Sequence, residues 1–443
     1  MRASILAVLA AVIAAIAIPA VAAPFSPPVQ LSQNNYASMA SVGIDDGGNA
    51  LAIWADSGMF FADKPAGGNW SAPQSVYPGG SFPMLALRGD GAATIVSYSS
   101  LYGIWSIDRP PGGSWSAPYL IVDAPDIVSP NLNNVSPVQF LSNARGDQAI
   151  VFEQYVSGDV LITVLYRPSG GAWGGEDNAV SSADDGHIAL SSAALGDDGD
   201  IVVTFETFNV VCSRYCHDTG YAVHAMREAA GTTRWIESGA LTPASSAYNT
   251  RTVIDSAGRA GLLIQNGFSA TIQATTQSKA GGSWSTPVNA LTGNGSDGAQ
   301  IWVAQAGGRG RANLAFDYLA NPGGGITVLD GNLADDSWPI SSLLSATDNP
   351  GANDNVVFDA NKAGGAVAAW TDVDGTVRAA LRKRGSSAWG APKTIVAGSP
   401  CDVGGVVCTG TVSAAVNAHG QAIIAYIRLD PSVTYRTLFV ATH

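Results

Sequence analysis

Basic side chains are scarce in this 443-residue chain, which has 22 lysines and arginines against 35 aspartates and glutamates. The formal net charge is −13, and charged residues of both signs make up only 13% of the sequence. Proteins that bind nucleic acid or anionic membrane surfaces depend on basic patches. The composition therefore argues against both kinds of partner.

Cysteine is also scarce, with four residues in two local pairs, Cys212 with Cys216 and Cys401 with Cys408. In an oxidising compartment such pairs usually form disulfides, so we predict two short cross-linked loops. The alternative is a metal site, because His217 and His224 lie close to Cys216 in the sequence. We expect the disulfides, and no metal or cofactor.

A long run of apolar residues occurs only at the start of the chain. Arg2 precedes the apolar run Ile5–Ile18, and Ala20-Val21-Ala22 fits a cleavage site for a signal peptidase. We predict a signal peptide over residues 1–22 and a single domain over 23–443, in a secreted or periplasmic protein. A membrane anchor is the alternative, although the run is short for a span. No cysteine follows the cleavage site, which excludes a lipid anchor there.

Glycine, by contrast, is abundant, with 51 residues, and much of it belongs to a repeated phrase. The phrase is a Gly-Gly turn followed by a tryptophan and a proline, as in Gly67–Pro73, Gly112–Pro118, Gly281–Pro287 and, less clearly, Ser386–Pro392. A phrase that recurs in this way indicates a repeat architecture.

A second phrase, an apolar strand after a tight Asp/Gly turn, occurs eight times. The copies are Ala50–Trp54, Ala93–Ser97, Ala149–Glu153, Ile201–Phe205, Ala260–Ile264, Ala312–Phe316, Ala366–Trp370 and Ala422–Tyr426. Their spacing averages about 53 residues, which suits a four-stranded propeller blade. We predict an all-β, eight-bladed β-propeller, with seven blades as the alternative.

The last repeat, Thr411–Thr442, has sequence for three strands only. Phe25–Leu31 aligns with the fourth-strand segment Trp70–Val76, so we predict that it completes the last blade and closes the ring. The aromatic residues that align in this column are Phe25, Trp70, Trp115, Trp173, Trp235, Trp284, Trp338 and Trp389. A ring repeated in every blade is expected to pack within its hairpin or between blades, not to bind ligand.

A four-stranded blade with a Gly-rich turn and a tryptophan before its last strand resembles the Asp-box repeat of bacterial sialidases. That repeat reads Ser-x-Asp-x-Gly-x-x-Trp, and segments such as Arg109–Trp115 keep the glycine and tryptophan but lack the aspartate. Sialidases also have an Arg-Ile-Pro motif and three arginines that bind the substrate carboxylate. This chain has no Arg-Ile-Pro and no arginine between Arg2 and Arg88. The resemblance implies the blade type, which secreted propeller lectins share, and not sialidase activity.

The strand order predicts one face of repeated turns and an opposite face of variable loops, formed by the turns between second and third strands and the links between blades. Function usually occupies variable loops on a rigid scaffold. The fourth blade differs most from the others, since it has an insertion, Thr207–Gly220, and the chain's five glutamates all lie between residues 153 and 237. We predict that ligand binding depends on Glu206, Arg214, Tyr215, His217 and Tyr221.

Acidic residues end several second strands, namely Asp56, Glu153, Glu206, Asp317 and Asp372. We expect most of them to be solvated caps, because surfaces must be polar. Paired carboxylates can also hydrolyse glycosides. If the protein is an enzyme, the candidate catalytic residues are therefore Glu206, His217 and Glu153, since no Gly-x-Ser-x-Gly nucleophile motif is present.

The sequence thus predicts an exported, monomeric propeller that binds a glycan or another polar extracellular ligand on its variable face. One alternative is a glycoside hydrolase or polysaccharide lyase centred on the third and fourth blades. The other is a protein-interaction scaffold of the cell envelope. A propeller fold does not choose among these functions.

Overall fold

The computed structural model describes residues 25–32, 36–79, 81–99, 101–123, 138–182, 187–212, 216–232, 234–242, 248–266, 271–291, 299–307, 311–318, 326–344, 356–372, 375–398, 409–430 and 435–443. The secondary structure of these residues is almost entirely β-strand. No helix within these ranges has the length and hydropathy of a membrane-spanning segment.

The described strands form eight four-stranded antiparallel sheets, which we number in chain order to match the predicted blades. Sheet 1 contains β2 (Ser38–Ile44), β3 (Ala50–Ala55), β4 (Met59–Lys64) and β5 (Gln74–Tyr77). Sheet 2 contains β6 (Pro83–Leu87), β7 (Ala93–Ser99), β8 (Gly103–Arg109) and β9 (Tyr119–Val122). Sheet 3 contains β10 (Val138–Ser142), β11 (Gln148–Val156), β12 (Asp159–Arg167) and β13 (Asp177–Ser181). Sheet 4 contains β14 (His187–Leu195), β15 (Ile201–Cys212), β16 (Cys216–Glu228) and β17 (Trp235–Glu237).

The remaining four sheets repeat this order. Sheet 5 contains β18 (Tyr248–Ile254), β19 (Ala260–Asn266), β20 (Ile272–Gln277) and β21 (Val288–Leu291). Sheet 6 contains β22 (Ala299–Gly307), β23 (Arg311–Tyr318), β24 (Ile326–Asn332) and β25 (Ile340–Leu343). Sheet 7 contains β26 (Val357–Ala360), β27 (Ala366–Thr371), β28 (Val377–Arg382) and β29 (Lys393–Val396). Sheet 8 contains β30 (Thr409–Val416), β31 (Ala422–Asp430), β32 (Tyr435–Thr442) and, from the other end of the chain, β1 (Val29–Gln30). The all-β, propeller-type organisation predicted from the repeat is therefore present.

Sheet 8 obtains its fourth strand from the start of the described chain. β1 pairs antiparallel with β32, with Val29 opposite Val440. The backbone N–H of Ser26 donates to the carbonyl of Thr442 at 2.7 Å, and that of Leu31 donates to Leu438 at 2.9 Å. The predicted pairing of the N-terminal segment with the last repeat is thus observed.

Tight turns connect the first and second strands of the sheets. In sheet 1 the Asp45 carboxylate accepts a hydrogen bond from the backbone N–H of Asn49 at 2.7 Å, which satisfies a donor inside the turn. Gly48 has a φ of +83°, a conformation that glycine adopts without the steric penalty of a side chain. The repeated Asp and Gly residues are therefore explained by backbone geometry.

Each hydrophobic cluster lies between two neighbouring sheets, and the aligned aromatic column supplies one ring to each such junction. We name each junction by its two sheets. The rings are Trp115 (1/2), Trp173 (2/3), Trp235 (3/4), Trp284 (4/5), Trp338 (5/6), Trp389 (6/7), Phe25 (7/8) and Trp70 (8/1). The prediction that these rings have a packing role is confirmed. The Phe25 ring occupies junction 7/8 as its alignment with the tryptophans predicts.

Three junctions also share an ion pair near the repeated turns, formed by an arginine at the end of a third strand and an aspartate of the preceding sheet. The pairs are Arg109–Asp63 at 2.7 Å, Arg167–Asp108 at 2.8 Å and Arg382–Asp330 at 2.7 Å. Each guanidinium lies over the tryptophan of its own sheet, 4.8 to 5.3 Å from the ring centroid, within the range of a cation–π contact. One arginine thus links two sheets and covers the ring between them.

The strand register corrects one part of the sequence alignment. In the seven sheets whose turn is described, the residue that follows the closed turn is the first residue of the second strand; it is Ala50 in sheet 1, Gln148 in sheet 3 and Ile201 in sheet 4. The repeat in sheet 3 therefore begins one residue before Ala149, from which the alignment started. As a consequence Glu153 and Glu206 occupy equivalent positions in neighbouring sheets.

Removing residues 24–32 should destabilise the protein, because it exposes the edge of β32 and removes the Phe25 ring from junction 7/8. With each lost backbone hydrogen bond worth about 1 kcal/mol, we expect the free energy of unfolding to fall by about 3 kcal/mol or more, with aggregation. Denaturant unfolding of this variant beside a chain that begins at Ala23 measures the effect. Identical unfolding curves would show that the segment contributes nothing to sheet 8.

Candidate functional site

The variable face is formed by the ends of the second strands, the turns that follow them, and the starts of the first strands. Sheet 4 extends furthest in this direction, because β15 and β16 have 12 and 13 residues. The predicted insertion is therefore a long β-hairpin. Its described part contains two of the five predicted ligand-binding side chains, Glu206 and Tyr221.

Glu206 and Tyr221 lie at the base of this hairpin, and both are buried. The Tyr221 hydroxyl donates to the Asp218 carboxylate at 3.2 Å. Burial, the hydrogen bond to Asp218 and the negative charges of Asp218 and Glu206 together raise the pKa of Tyr221 to about 12. The structure thus brings these two predicted residues into one electrostatic environment.

The other predicted residues of the insertion are less fully described. Arg214 and Tyr215 lie outside the described residues. For His217 the backbone alone is described, and it pairs with Val211 of β15. The backbones of Cys212 and Cys216 are directly opposite each other, whereas Cys401 and Cys408 lie outside the described residues. The ligand-binding roles and the two disulfides stay predictions.

An aromatic ladder supports the hairpin. The His187 ring stacks on Phe208 with centroids 5.6 Å apart, and Phe208 stacks on Tyr221 at 5.1 Å. Such offset ring pairs add to the energy of simple burial. Sheet 4 therefore presents stacked rings with polar edges at the variable face.

A second histidine, His224, is held by its neighbours in sheet 4. Its Nδ1 lies 2.9 Å from a Glu237 carboxylate oxygen, and its Nε2 lies 3.2 Å from the Thr207 hydroxyl. The ring also stacks on Phe205 with centroids 5.2 Å apart. His224, which lies near Cys216 in the sequence, thus has a packing role within sheet 4.

Glu153 is buried between sheets 3 and 4. Its carboxylate accepts a short hydrogen bond from the backbone N–H of Leu190, at the point where the pairing of β14 with β15 has an irregular register. Burial raises the pKa of Glu153 to about 7, and the hydrogen bond from Leu190 opposes this change in part. The side chain thus satisfies a donor that the strand pairing leaves open.

The expectation that the strand-end acids are solvated caps is wrong for the four whose side chains are described. Asp56, Glu153, Glu206 and Asp372 are all at least 95% buried. Asp372 accepts a hydrogen bond from Trp370 Nε1 at 3.0 Å and pairs with Arg378. Glu153 and Asp372 thus accept hydrogen bonds from donors inside the protein, which a solvated position does not require.

Sequence reasoning missed an aromatic cluster on sheet 2 and the adjoining end of sheet 1, which we call the sheet 2 cluster; it comprises Tyr77 of β5 together with Phe82, Tyr98, Leu101, Tyr102 and Trp105. Tyr77 contacts Trp105 with centroids 5.4 Å apart, and Phe82 contacts Tyr98 at 6.1 Å. The indole N–H of Trp105 donates to the Tyr102 carbonyl at 2.6 Å. This bond fixes a turn in which Leu101 is 77% exposed and Tyr102 is 54% exposed.

The sheet 2 cluster belongs to a longer series of exposed apolar side chains on the variable face. They occur on each of the first four sheets and comprise Tyr36, Met39, Phe82, Leu101, Tyr102, Tyr155, Val156, Val210 and Val211. Exposed apolar surface that is concentrated in one region marks an interaction site. The sequence signal was available: Leu101-Tyr102 is an apolar pair at a turn, where polar residues are usual.

Metal binding finds no support in the part of the chain that can be described. No three His, Cys, Asp or Glu residues within it are placed together so that they could hold an ion. The alternative of a metal site at Cys212 and Cys216 concerns side chains that are not described.

Comparison with known proteins yields no family model and no curated protein that matches the chain. Among solved structures, the chain is similar to one from a study of two prolyl endopeptidases, with a TM-score of 0.50 and 10% identity over 89% of this chain and 55% of that chain. The present chain thus spans about half the length of that protein, and the likeness concerns the fold alone.

Two weaker likenesses involve carbohydrate-related proteins. The polysaccharide lyase Uly1 gives a TM-score of 0.46 with 9% identity over 94% of this chain and 93% of that chain. A lectin of Aleuria aurantia in complex with Fucα1-6GlcNAc gives 0.39 with 14% identity over 67% of this chain and 89% of that chain. Both are too distant to transfer a function.

The raised pKa of Glu153 predicts a specific pH dependence of stability. An ordinary glutamate titrates near 4.5, so between about pH 4.5 and 7 the folded protein holds this proton more tightly than the unfolded chain does. The free energy of unfolding therefore falls as the pH rises through this window, by about 3 kcal/mol in total at ~1.4 kcal/mol per pH unit. The neutral amide of Glu153→Gln still accepts the Leu190 hydrogen bond and removes this loss.

Urea unfolding of Glu153→Gln and wild type, below pH 4.5 and above pH 7, measures the difference. We expect the variant to be the more stable protein above pH 7. The exposed Glu176→Gln in the same sheet controls for the change in net charge. A variant that is less stable than wild type only above pH 7 would assign Glu153 an essential ionised role instead.

Proposed function

We propose that the eight sheets are the blades of one eight-bladed β-propeller, closed by β1 in the last blade. Three observations support the proposal. Sheet 8 packs against sheet 1 through a hydrophobic cluster that includes Trp70. Every other pair of neighbouring sheets also packs through a hydrophobic cluster with its own aromatic ring. The Asn417 side-chain amide donates to the Asp45 carbonyl at 2.8 Å across junction 8/1, as Asn361 does to Asn417 at 2.7 Å across junction 7/8.

On this scaffold the protein is a glycan-binding propeller whose ligand lies across the variable face, from sheet 1 to sheet 4. The observation that carries this proposal is the sheet 2 cluster, in which Phe82, Leu101 and Tyr102 are exposed and are held in place by ring contacts and by the Trp105 hydrogen bond. Aromatic rings provide flat apolar area at low cost in conformational entropy. The C–H faces of a pyranose ring present a complementary flat surface.

Sheet 4 supplies the polar part of the proposed surface. The ladder of His187, Phe208 and Tyr221 ends in side chains that donate and accept hydrogen bonds, and Asp218 lies beside it. Sugar hydroxyls need such donors and acceptors. Glu206, Arg214, Tyr215 and His217 belong to the same hairpin, so we retain all five predicted residues as the polar half of the site.

A second candidate function is the binding of a protein partner. It is favoured by the aliphatic members of the exposed series, Leu101, Val156, Val210 and Val211. Aliphatic side chains contribute to protein interfaces but offer a sugar no hydrogen bond. The two functions differ in what the surface retains, a free glycan or a co-purifying protein.

A glycan array screened with the chain that begins at Ala23, followed by titration of each hit, tests the proposal. We expect Tyr102→Ala to weaken glycan binding by about tenfold, the effect of losing a contact worth somewhat more than 1 kcal/mol. Tyr221→Phe should weaken it by a smaller factor. Tyr119→Ala is the matched control, because Tyr119 is an exposed tyrosine of the same sheet on the outer strand β9.

Product analysis on each hit separates binding from catalysis. A glycan that is recovered unchanged supports the proposal, whereas cleavage that is lost in Glu206→Gln would establish the enzyme alternative. Equal effects of Tyr102→Ala and Tyr119→Ala on affinity would show that the ligand does not lie on the variable face. Failure of every glycan to bind, together with a protein that co-purifies, would favour the second candidate.

A further inference from the structure

A cavity of about 350 Å³ lies in junction 7/8, between the outer strands of sheet 7 and the end of sheet 8. Its volume is within the range of small-molecule sites. Phe25 and Trp389 are among its walls, and the turn residues Lys383 and Gly420 lie at its rim. The cavity is therefore on the side of the repeated turns, away from the variable face.

The cavity occurs where the repeated ion pair of the junctions has been lost. The equivalent of Asp63 and Asp108 in sheet 7 is Leu381, opposite Val367. The equivalent of Arg109 and Arg167 in sheet 8 is His443, whose backbone N–H donates to Ala422 at 2.8 Å. The tryptophan of this column is also replaced, by the smaller Phe25. The replacements of arginine by His443 and of tryptophan by Phe25 remove side-chain volume from one place, and Leu381 in place of aspartate removes the acidic partner of the ion pair.

Two other junctions that lack the Asp–Arg pair fill the space in a different way. In junction 4/5 the buried Arg227 belongs to the preceding sheet and donates to Gln277 at 2.9 Å. In junction 5/6 the Trp338 ring lies directly against Gly331, at the position of the missing arginine. In junction 7/8 the Phe25 ring contacts His443 with centroids 5.2 Å apart, and a cavity is left beside them.

The walls of the cavity are mainly apolar, and basic side chains lie among the residues that line it. The apolar part comes from Phe25, Ala379, Leu381, Ala388, Trp389 and Ala391. The basic side chains are Arg382, Lys383, Lys393 and His443. No Asp or Glu is among the described residues that line the cavity. This is a local reversal of charge in a chain whose net charge is −13.

Among these cations, Arg382 has a structural role in the neighbouring junction. It pairs with Asp330 across junction 6/7, donates to the Gly364 carbonyl at 2.9 Å and stacks on Trp389. These contacts fix the Trp389 ring as one wall. Lys383, which is exposed, directly follows β28, and Lys393, which is half-buried, begins β29; these two strands flank this wall.

We propose that junction 7/8 is a second ligand site, which binds a small carboxylate whose ring-sized apolar body lies between Phe25 and Trp389. The carboxylate is held by Lys383 and Lys393, and the ring occupies the space of the missing ion pair. Aromatic acids and uronic acids share this chemistry. The site is separate from the proposed glycan surface and does not depend on it.

Calorimetric titration of the chain that begins at Ala23 tests the proposal with two acids and their uncharged counterparts. The acids are benzoate and glucuronate, and the counterparts are benzyl alcohol and glucose. We expect at least one acid to bind at millimolar concentration or below and its uncharged counterpart to bind at least tenfold more weakly. The acid that binds more tightly identifies the ligand source as aromatic or saccharide.

Three variants locate the binding. Lys383→Ala should weaken it by about threefold to tenfold, whereas Lys279→Ala, the equivalent exposed lysine in the turn of sheet 5, should leave it unchanged. The double variant Leu381→Asp with His443→Arg restores the ion pair of the other junctions and should abolish binding. The single variant Ala379→Leu fills the cavity instead, and thermal unfolding of both variants shows whether each remains folded.

Several results would overturn the proposal. They are the absence of binding by both acids, equal binding of the uncharged counterparts, equal effects of Lys383→Ala and Lys279→Ala, and full affinity in Ala379→Leu. Loss of glycan binding in Tyr102→Ala does not bear on this site, so the two proposals fail separately.

Discussion

The pairing of β1 with β32 is the constraint on which the arrangement of the other sheets depends. It joins the first and last described strands of the chain in one sheet and places Phe25 in the last junction. Without it, sheet 8 would have three strands and an open edge, and its junction with sheet 7 would lack a ring. Because the hydrophobic clusters lie between sheets, each sheet depends on its neighbours for burial.

This dependence accounts for the uniformity of the repeated-turn face. Side chains beside these turns stabilise the junctions between sheets. Asp63 and Arg109 form an ion pair between sheets 1 and 2, and the Trp115 ring lies beneath the Arg109 guanidinium. Substitution at any of them alters contacts between two sheets. The described side chains of the variable face do not repeat such an ion pair from junction to junction, and they differ from sheet to sheet. The sheet 2 cluster and the long hairpin of sheet 4 are the result. Junction 7/8 is the exception on the other face, where three replaced residues leave a cavity.

Much of the fold could be predicted from the sequence because the same strand and turn pattern recurs in every repeat. A signal that is weak in one copy is therefore supported by the others. The alignment of Phe25–Leu31 with Trp70–Val76 predicted the pairing of the chain's two ends, since a missing strand in one repeat and a surplus strand elsewhere are complementary. The packing role of the tryptophans followed from their recurrence. The register of sheet 3 did not follow, because Gln148 is not apolar and the pattern of the other repeats begins with Ala or Ile. Because of that one residue, the sequence alignment did not show that Glu153 and Glu206 occupy equivalent positions in their sheets.

The candidate site was less predictable, for physical reasons. Glu153 and Asp372 look like surface acids in sequence, and only the structure shows the buried donors, such as the Leu190 N–H, that they satisfy. The exposure of Leu101 and Tyr102 depends on how the turn after β7 projects from the sheet, which composition does not specify. The cavity of junction 7/8 arises from Leu381, Phe25 and His443, which are far apart in sequence and meet only when the strands align.

The joining of the two chain ends is tested most directly by a cross-link between them. The hydroxyl oxygens of Ser26 and Thr442 are 3.2 Å apart and exposed, so Ser26→Cys with Thr442→Cys places two thiols within reach of a disulfide. Peptide mapping of the oxidised, non-reduced protein should detect an intramolecular bond between residues 26 and 442, with a higher Tm than the reduced form. Two thiols that stay free, or that link only separate molecules, would contradict the account.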